Sequence, residues 1–207
     1  AYLRIKTLVA DLRASGITLR SIDLGGGLGV PYEADANHPP LPLDYGAMVS
    51  ELFADFGCEI IVEPGRLITA NAGVLVSKVL YVKRAANTYV IIDAGMNDLM
   101  RPALYDALHE TVPVKKTTAP AMPVSLVGPV CESSDVFANN ISLPLPSEGD
   151  LVALRSAGAY GASMSNSYNS RLLLPEVMVS GNQFAVIRRR QTYAELMEAE
   201  EIPEWRS

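Results

Sequence analysis

Cysteine is scarce: the 207 residues hold two, Cys58 and Cys131, far apart and in no metal-ligand spacing. That argues against a disulfide framework or a zinc site, and it suits a reducing, cytoplasmic setting. Lysine and arginine total 17 against 23 aspartates and glutamates, for a net charge of −6. Nucleic acid and anionic membrane are therefore poor candidates for the main partner, because phosphate binding needs clustered cations. The one basic cluster, Arg188-Arg189-Arg190, follows an apolar run and reads as a solvated strand end. No apolar run approaches the ~20 residues that span a bilayer. Residues 1–14 read as a charged amphipathic helix and not as a secretory signal. Internal repeats and low-complexity segments are also missing.

What remains is an ordinary globular composition, 49% apolar and 19% charged. The length suffices for one large domain or two modest ones. Residues 3–12 carry apolar side chains at helical spacing, and Gly16 is placed to stop that helix. Residues 19–24 read as a strand ending in three glycines, followed by a loop rich in proline (Pro31, Pro39, Pro40, Pro42). A second helix is predicted from Asp44, as N-cap, to Gly57, and a second strand over 59–62 leads into Glu63-Pro64-Gly65-Arg66. This is the rhythm of a parallel sheet with crossover helices. Two such units cannot close a sheet. If they end an eight-stranded barrel, which takes ~250 residues, the chain is expected to be a fragment.

From Gly73 the rhythm changes. Strands are predicted over 73–84 and 88–93, joined by Ala85-Ala86-Asn87, and again over 111–116, 122–127 and 150–155. A last hairpin, 176–179 with 183–188, should turn at Ser180-Gly181-Asn182. The expected architecture is α/β over residues 1–70 and antiparallel β over residues 71–207.

Five segments carry candidate chemistry. Gly25-Gly26-Gly27 after a strand suits phosphate, since glycine lets backbone N–H groups approach an anion; a flexible turn is the plain alternative. It is not a dinucleotide fingerprint, because Val30 stands where the third glycine belongs. Glu63, at the end of the neighbouring strand, is a turn residue or a partner for a protonated heterocyclic nitrogen. Cys131 and Glu132 lie in a Gly-Pro-flanked polar loop, where a thiol is more accessible than in a core. Tyr160, between small residues, either lies against a flat ring or fills a core. Arg101 and Tyr105, four apart, would share one face of a helical turn, as a surface pair or as ligands.

In this order, the strings IDLGGGLGVPY, IIVEPGRLITANAGVLVSKVLYVK, DAGMNDLMRPALYDALH, GPVCESSD, GAYGASMSNSYNSR and FAVIRRRQTYAELM resemble the C-terminal half of the fold-type III pyridoxal-phosphate decarboxylases. Within that family the resemblance is to those acting on diaminopimelate. It implies the last βα units of a (β/α)8 TIM barrel followed by a β-sandwich or Greek-key domain. It also implies homodimers with shared active sites and pyridoxal 5′-phosphate as cofactor. Gly25, Gly26 and Gly27 would hold the cofactor phosphate and Glu63 its pyridine nitrogen, with Pro64, Gly65, Arg66 and Tyr160 completing that site. Arg66, Arg101 and Tyr105 would bind the distal carboxylate of meso-diaminopimelate, and Tyr160 would contact substrate too. Glu132 would meet the distal ammonium, and Cys131 would donate a proton to the carbanion, both lent to the neighbouring subunit. An arginine-rich, carboxylate-bearing site suits a substrate whose unreacting end is a whole amino-acid centre.

Two departures from the family pattern stand out. Leu172-Leu173-Leu174 replaces proline and basic residues. The family's Schiff-base lysine has no counterpart among Lys6, Lys78, Lys83, Lys115 and Lys116, and its cofactor-stacking histidine is missing, His38 and His109 lying elsewhere. The chain alone is therefore expected to be inactive, its partner being the N-terminal half of the barrel. The competing readings are a sister decarboxylase of arginine, ornithine or carboxynorspermidine, and a non-catalytic relative.

Overall fold

In the computed structural model, which describes residues 2–32 and 38–206, helix α1 (Tyr2–Ala14) packs Val9 into a small core and ends as the glycine spacing demands. Gly16 takes φ +82°, and the Ile17 N–H reaches the Leu12 carbonyl at 3.0 Å, closing the last turn. Strand β1 (Ser21–Asp23) follows, then helix α2 (Pro42–Phe53) and strand β2 (Glu59–Ile61). β1 and β2 pair in parallel, Ile22 opposite Ile60. Asp44 is not the N-cap of α2. It sits one turn inside, and its carboxylate accepts the Leu41 N–H at 3.2 Å, because Pro42 already starts the helix. The helix stops at Phe53, and a short 3₁₀ turn carries the chain to Gly57 (φ +57°). Ile22, Leu24, Phe53 and Phe56 join Val9 in this first core.

A short helix, α3 (Gly65–Thr69), leads to the second layer of structure. Its strands are β3 (Leu75–Arg84), β4 (Thr88–Ile92), β5 (Thr111–Pro113), β6 (Ala121–Val127), β7 (Val136–Pro144) and β8 (Leu151–Leu154). They form one sheet in the order β5-β8-β3-β4-β6-β7. The edge strands β5 and β7 approach each other, so the sheet is a nearly closed barrel. Its interior is a continuous cluster that includes Val79, Ile92, Leu126, Leu143 and Leu154, all 0–1% exposed. Truncating any of these leucines to alanine would cost about 2–5 kcal/mol in transfer and cavity terms.

The sheet is mixed and not antiparallel throughout, since β4 and β6 run parallel. The connection between them is long enough for a crossover and contains helix α4 (Arg101–Tyr105) and β5. β7 defeats pattern reading because Asn139-Asn140 interrupts its alternation, with Asn140 left-handed at φ +54°. The final hairpin, β9 (Glu176–Ser180) with β10 (Gln183–Arg188), turns where expected and keeps to itself. Arg188 pairs with Glu176 at 2.9 Å, and Arg189 with Glu195 of the capped helix α5 (Tyr193–Met197). No described helix is long and apolar enough to cross a membrane.

Candidate active site

The parallel pair β1–β2 delivers Gly25 and Glu63 to adjacent strand ends. The Glu63 N–H donates to the Gly25 carbonyl at 2.9 Å, and the Gly25 N–H to the Asp23 carboxylate at 2.7 Å. Gly25 and Gly27 take φ of +70° and +94°, which a side chain would oppose. A Cβ on Gly26 would drive into the Glu63 carbonyl oxygen, whereas one on Gly25 or Gly27 would meet open space. The loop therefore lies tight against the Glu63 backbone on one side and is open on the other. The Glu63 side chain is exposed and makes no hydrogen bond or ion pair among the described residues. A carboxylate left free beside a backbone cradle fits a phosphate-bearing ligand with a cationic ring atom.

Pro64 and Gly65 turn the chain into α3, which carries Arg66. The Arg66 guanidinium stands over the Tyr160 ring at 5.6 Å, an arrangement favoured by the ring's negative face. Tyr160 is 45% exposed and left-handed at φ +59°, an unfavourable backbone for a bulky residue. Its loop is pinned from behind. The Gly158 N–H reaches the Ala70 carbonyl at 3.0 Å, and a Cβ on Gly158 would collide with the Thr69 carbonyl.

Arg101 and Tyr105 share the single turn of α4 but not an environment. Arg101 is 7% exposed, while Tyr105 is 63% exposed. Arg101 is drawn inward by the Tyr32 ring, 4.5 Å from its guanidinium, and by His109 Nε2 at 2.9 Å from its Nη1.

Cys131 is an exposed free thiol, and Glu132 beside it is held by three donors. These are the Ser134 N–H, the Ser133 hydroxyl and the Tyr168 hydroxyl, each at 3.3 Å. The Ser134 contacts, then Tyr168, lower the Glu132 pKa; the Glu132 charge raises that of Tyr168. No hydrogen bond, ion pair or ring contact among the described residues joins Cys131 or Glu132 to Gly25–Gly27, Glu63, Arg66 or Tyr160. The structure thus brings most of the site residues together as three groups, glycine loop with Glu63, Arg66 with Tyr160, and Cys131 with Glu132; Arg101, held by Tyr32 and His109, and Tyr105 make no such contact with any of them among the described residues.

Sequence reasoning missed what braces these groups. Asp135, 3% exposed, accepts backbone N–H groups from Met96 and Val130, each at 2.7 Å. Burial raises its pKa against the pull of those two bonds and of Arg171. Arg171 reaches Asn97 Oδ1 at 2.8 Å, the Asp93 carbonyl at 2.6 Å and buried Asp98 at 3.3 Å. The clue was available: Asp98 and Asn97 lie in an otherwise apolar stretch, and buried polar groups need partners.

Residues 7–158 match the family model described as "Pyridoxal-dependent decarboxylase, C-terminal sheet domain". The diaminopimelate decarboxylase of Zymomonas mobilis is 48% identical over 203 residues, covering 98% of this chain and 48% of that protein. The crystal structure of diaminopimelate decarboxylase from M. jannaschii superposes with TM-score 0.93 at 37% identity, over 99% of this chain and 48% of that one. That of the Helicobacter pylori enzyme complexed with L-lysine gives TM-score 0.89 at 39% identity, over 96% and 49%. The chain thus spans about half the length of the relatives it matches.

Proposed function

Because the chain belongs to the pyridoxal-dependent decarboxylase family, we propose that it forms the C-terminal half of a diaminopimelate decarboxylase. That enzyme converts meso-2,6-diaminopimelate to L-lysine and carbon dioxide in the cytoplasm. The observation that carries this reading is the contact between the Gly25–Gly27 loop and the Glu63 backbone, with the Glu63 carboxylate left free. The L-lysine in the Helicobacter pylori structure is the product this reaction would release. The separate main cores on either side, joined only by the small cluster of Val30, Ala70 and Ala159, support a boundary near residue 70, between the end of the cofactor-binding barrel and the β-domain.

Pyridoxal 5′-phosphate, when bound, supplies the electron sink for the pair left on carbon as the carboxylate departs. Gly25, Gly26 and Gly27 would form its phosphate loop, with the N–H groups of Gly26 and Gly27 as donors, since that of Gly25 is taken by the Asp23 carboxylate. Glu63 would accept a hydrogen bond from the ring nitrogen and favour its protonated form. Pro64 and Gly65 shape the turn that presents Arg66, and Tyr160 lines cofactor and substrate. Arg66, Arg101 and Tyr105 bind the carboxylate at the unreacting end of the substrate, and Glu132 takes its ammonium. Cys131 gives a proton to the carbon that has lost its carboxylate.

In this reading Cys131 and Glu132 serve the neighbouring subunit of a homodimer, and the cofactor's lysine belongs to the half of the relatives that this chain does not match. What supports that sharing is that, among the described residues, no hydrogen bond or ion pair ties Cys131 or Glu132 to the glycine loop. Full-length Glu63→Gln tests the reading, because it keeps shape but removes the charge that holds the ring proton. Turnover should fall on the order of 10²-fold or more, with KM little changed and cofactor occupancy intact by absorbance. Near-normal kcat with merely weaker cofactor retention would make Glu63 a turn residue.

A further inference from the structure

The surroundings of Arg101 are unusual for a buried guanidinium. No carboxylate pairs with it among the described residues; its one hydrogen-bond partner is the His109 ring, 2.9 Å away. A guanidinium has donors only, so His109 Nε2 must be the acceptor. The ring proton then sits on Nδ1, which donates to the Arg155 carbonyl at 2.8 Å. Arg155 directly follows β8, so the imidazole is anchored to the barrel wall. Tyr32 closes the other side, its ring 4.5 Å from the guanidinium and edge-on to His109 at 5.1 Å. Left-handed Asp106 (φ +50°) turns the chain after α4 so that His109 comes back against Arg101.

We infer that His109 is a positioning residue, which aims the Arg101 guanidinium at the carboxylate of the substrate's unreacting end. This rests on the reading above that Arg101 binds that carboxylate. The choice of residue has a chemical reason. An aspartate or glutamate in place of His109 would orient Arg101 equally well but would neutralise it, and would compete with the substrate for the same charge. A neutral imidazole fixes one N–H of the fork and leaves the positive charge unspent. A buried arginine serving structure alone would ordinarily be paired with an acid, because an uncompensated buried charge is strongly destabilising. Among the described residues, His109 thus orients the guanidinium while no carboxylate takes its charge, which stays available to an anion.

The test uses the full-length dimeric enzyme and three ligands. Meso-diaminopimelate and the product L-lysine both carry the carboxylate in question; 1,5-diaminopentane keeps the two amines and lacks it. His109→Asn retains a donor near the Arg155 carbonyl but removes the acceptor facing Arg101. It should raise the KM for diaminopimelate and the inhibition constant of L-lysine by about the same factor, on the order of 10-fold, the loss typical of a charge-assisted hydrogen bond. The inhibition constant of 1,5-diaminopentane should stay within twofold, and kcat should change little, because the bond acts alike in ground and transition states. His109→Gln places an acceptor near the Nε2 position and should restore most of the lost affinity.

Equal weakening of all three ligands by His109→Asn, or none, would overturn the inference. Arg101→Gln separates the two ideas. If it weakens L-lysine while His109→Asn does not, Arg101 binds the carboxylate without help from His109. If Arg101→Gln leaves L-lysine unaffected, the assignment of Arg101 fails, and the role of His109 fails with it.

Discussion

Asp135 reaches the Val130 N–H at 2.7 Å through one carboxylate oxygen, while its other oxygen takes the Met96 N–H at the same distance. One buried carboxylate thereby staples the loop that carries Cys131 to the loop after β4. A Cβ on Gly128 would collide with that carboxylate, so the contact also explains a glycine. Asp135→Ala leaves two inward-facing N–H groups without acceptors and should cost about 2 kcal/mol or more. The measurement is the thermal midpoint of the full-length enzyme, with Asp135→Asn falling between wild type and Ala. An unchanged midpoint would mean the loop finds other acceptors.

Gly26→Ala should weaken cofactor retention without destabilising the rest of the fold. Its Cβ points into the Glu63 carbonyl oxygen, so the two strand ends must part. A loss on the order of 10-fold or more is expected in the cofactor dissociation constant, about 1.4 kcal/mol or more. Gly46→Ala is the contrast. That glycine lies exposed in α2 with nothing within 4 Å of a new Cβ, and alanine there should stabilise by about 0.5–1 kcal/mol. Titration of apoenzyme with pyridoxal phosphate, beside thermal melts, reads both effects.

Much of this was legible in the sequence because it rests on local rules. Gly16 stopped α1, the Ser180-Gly181-Asn182 turn fixed the last hairpin, and glycines after β1 marked the loop against Glu63. What stayed hidden depends on tertiary partners. The parallel pairing of β4 with β6 follows from a long crossover, and no period along either strand announces it. Arg101 and Tyr105 look equivalent four residues apart, yet Tyr32 and His109 bury the first and leave the second outside. Asp135 and Arg171 read as loop polarity until their buried acceptors and donors are seen.

Cys131→Ala in the full-length enzyme should reduce kcat strongly while the cofactor stays bound, since the thiol is assigned to proton delivery. If its site belongs to the neighbouring subunit, mixing Cys131→Ala with Glu63→Gln should restore one competent site per heterodimer. Activity recovered on subunit exchange, with the exchange followed by native mass spectrometry, is the expected outcome. Exchange without recovery would place both residues in one chain's site.

Burial pushes the His109 pKa below the usual imidazole value, with the Arg101 charge adding to it and the bond to the Arg155 carbonyl opposing. The unfolded chain takes up this proton near pH 6.5, and the folded chain only at lower pH. Below about pH 6.5 the unfolded state therefore binds more protons, so stability falls as pH drops and levels off beneath the folded pKa. His109→Gln removes this contribution. Between pH 7 and pH 5.5 the wild-type melting temperature should drop further than that of the variant. Equal drops would show that His109 accepts its proton freely in the folded protein.

The placement of β8 also sets an order of assembly on the ribosome. β3 finds β4 almost at once, β6 joins that side after the crossover through α4 and β5, and β7 follows it as a neighbour in sequence. The other flank of β3 has to wait for Leu151–Leu154, which then also receives β5. Closing such distant segments is slow compared with hairpin formation. The loop bearing Tyr160 begins just beyond β8, so its ring is stationed under Arg66 only after the last wall strand has docked. A nascent chain arrested before residue 151 would hold the four-stranded run β3-β4-β6-β7, with the β3 edge at Leu75–Lys78 still without its β8 partner.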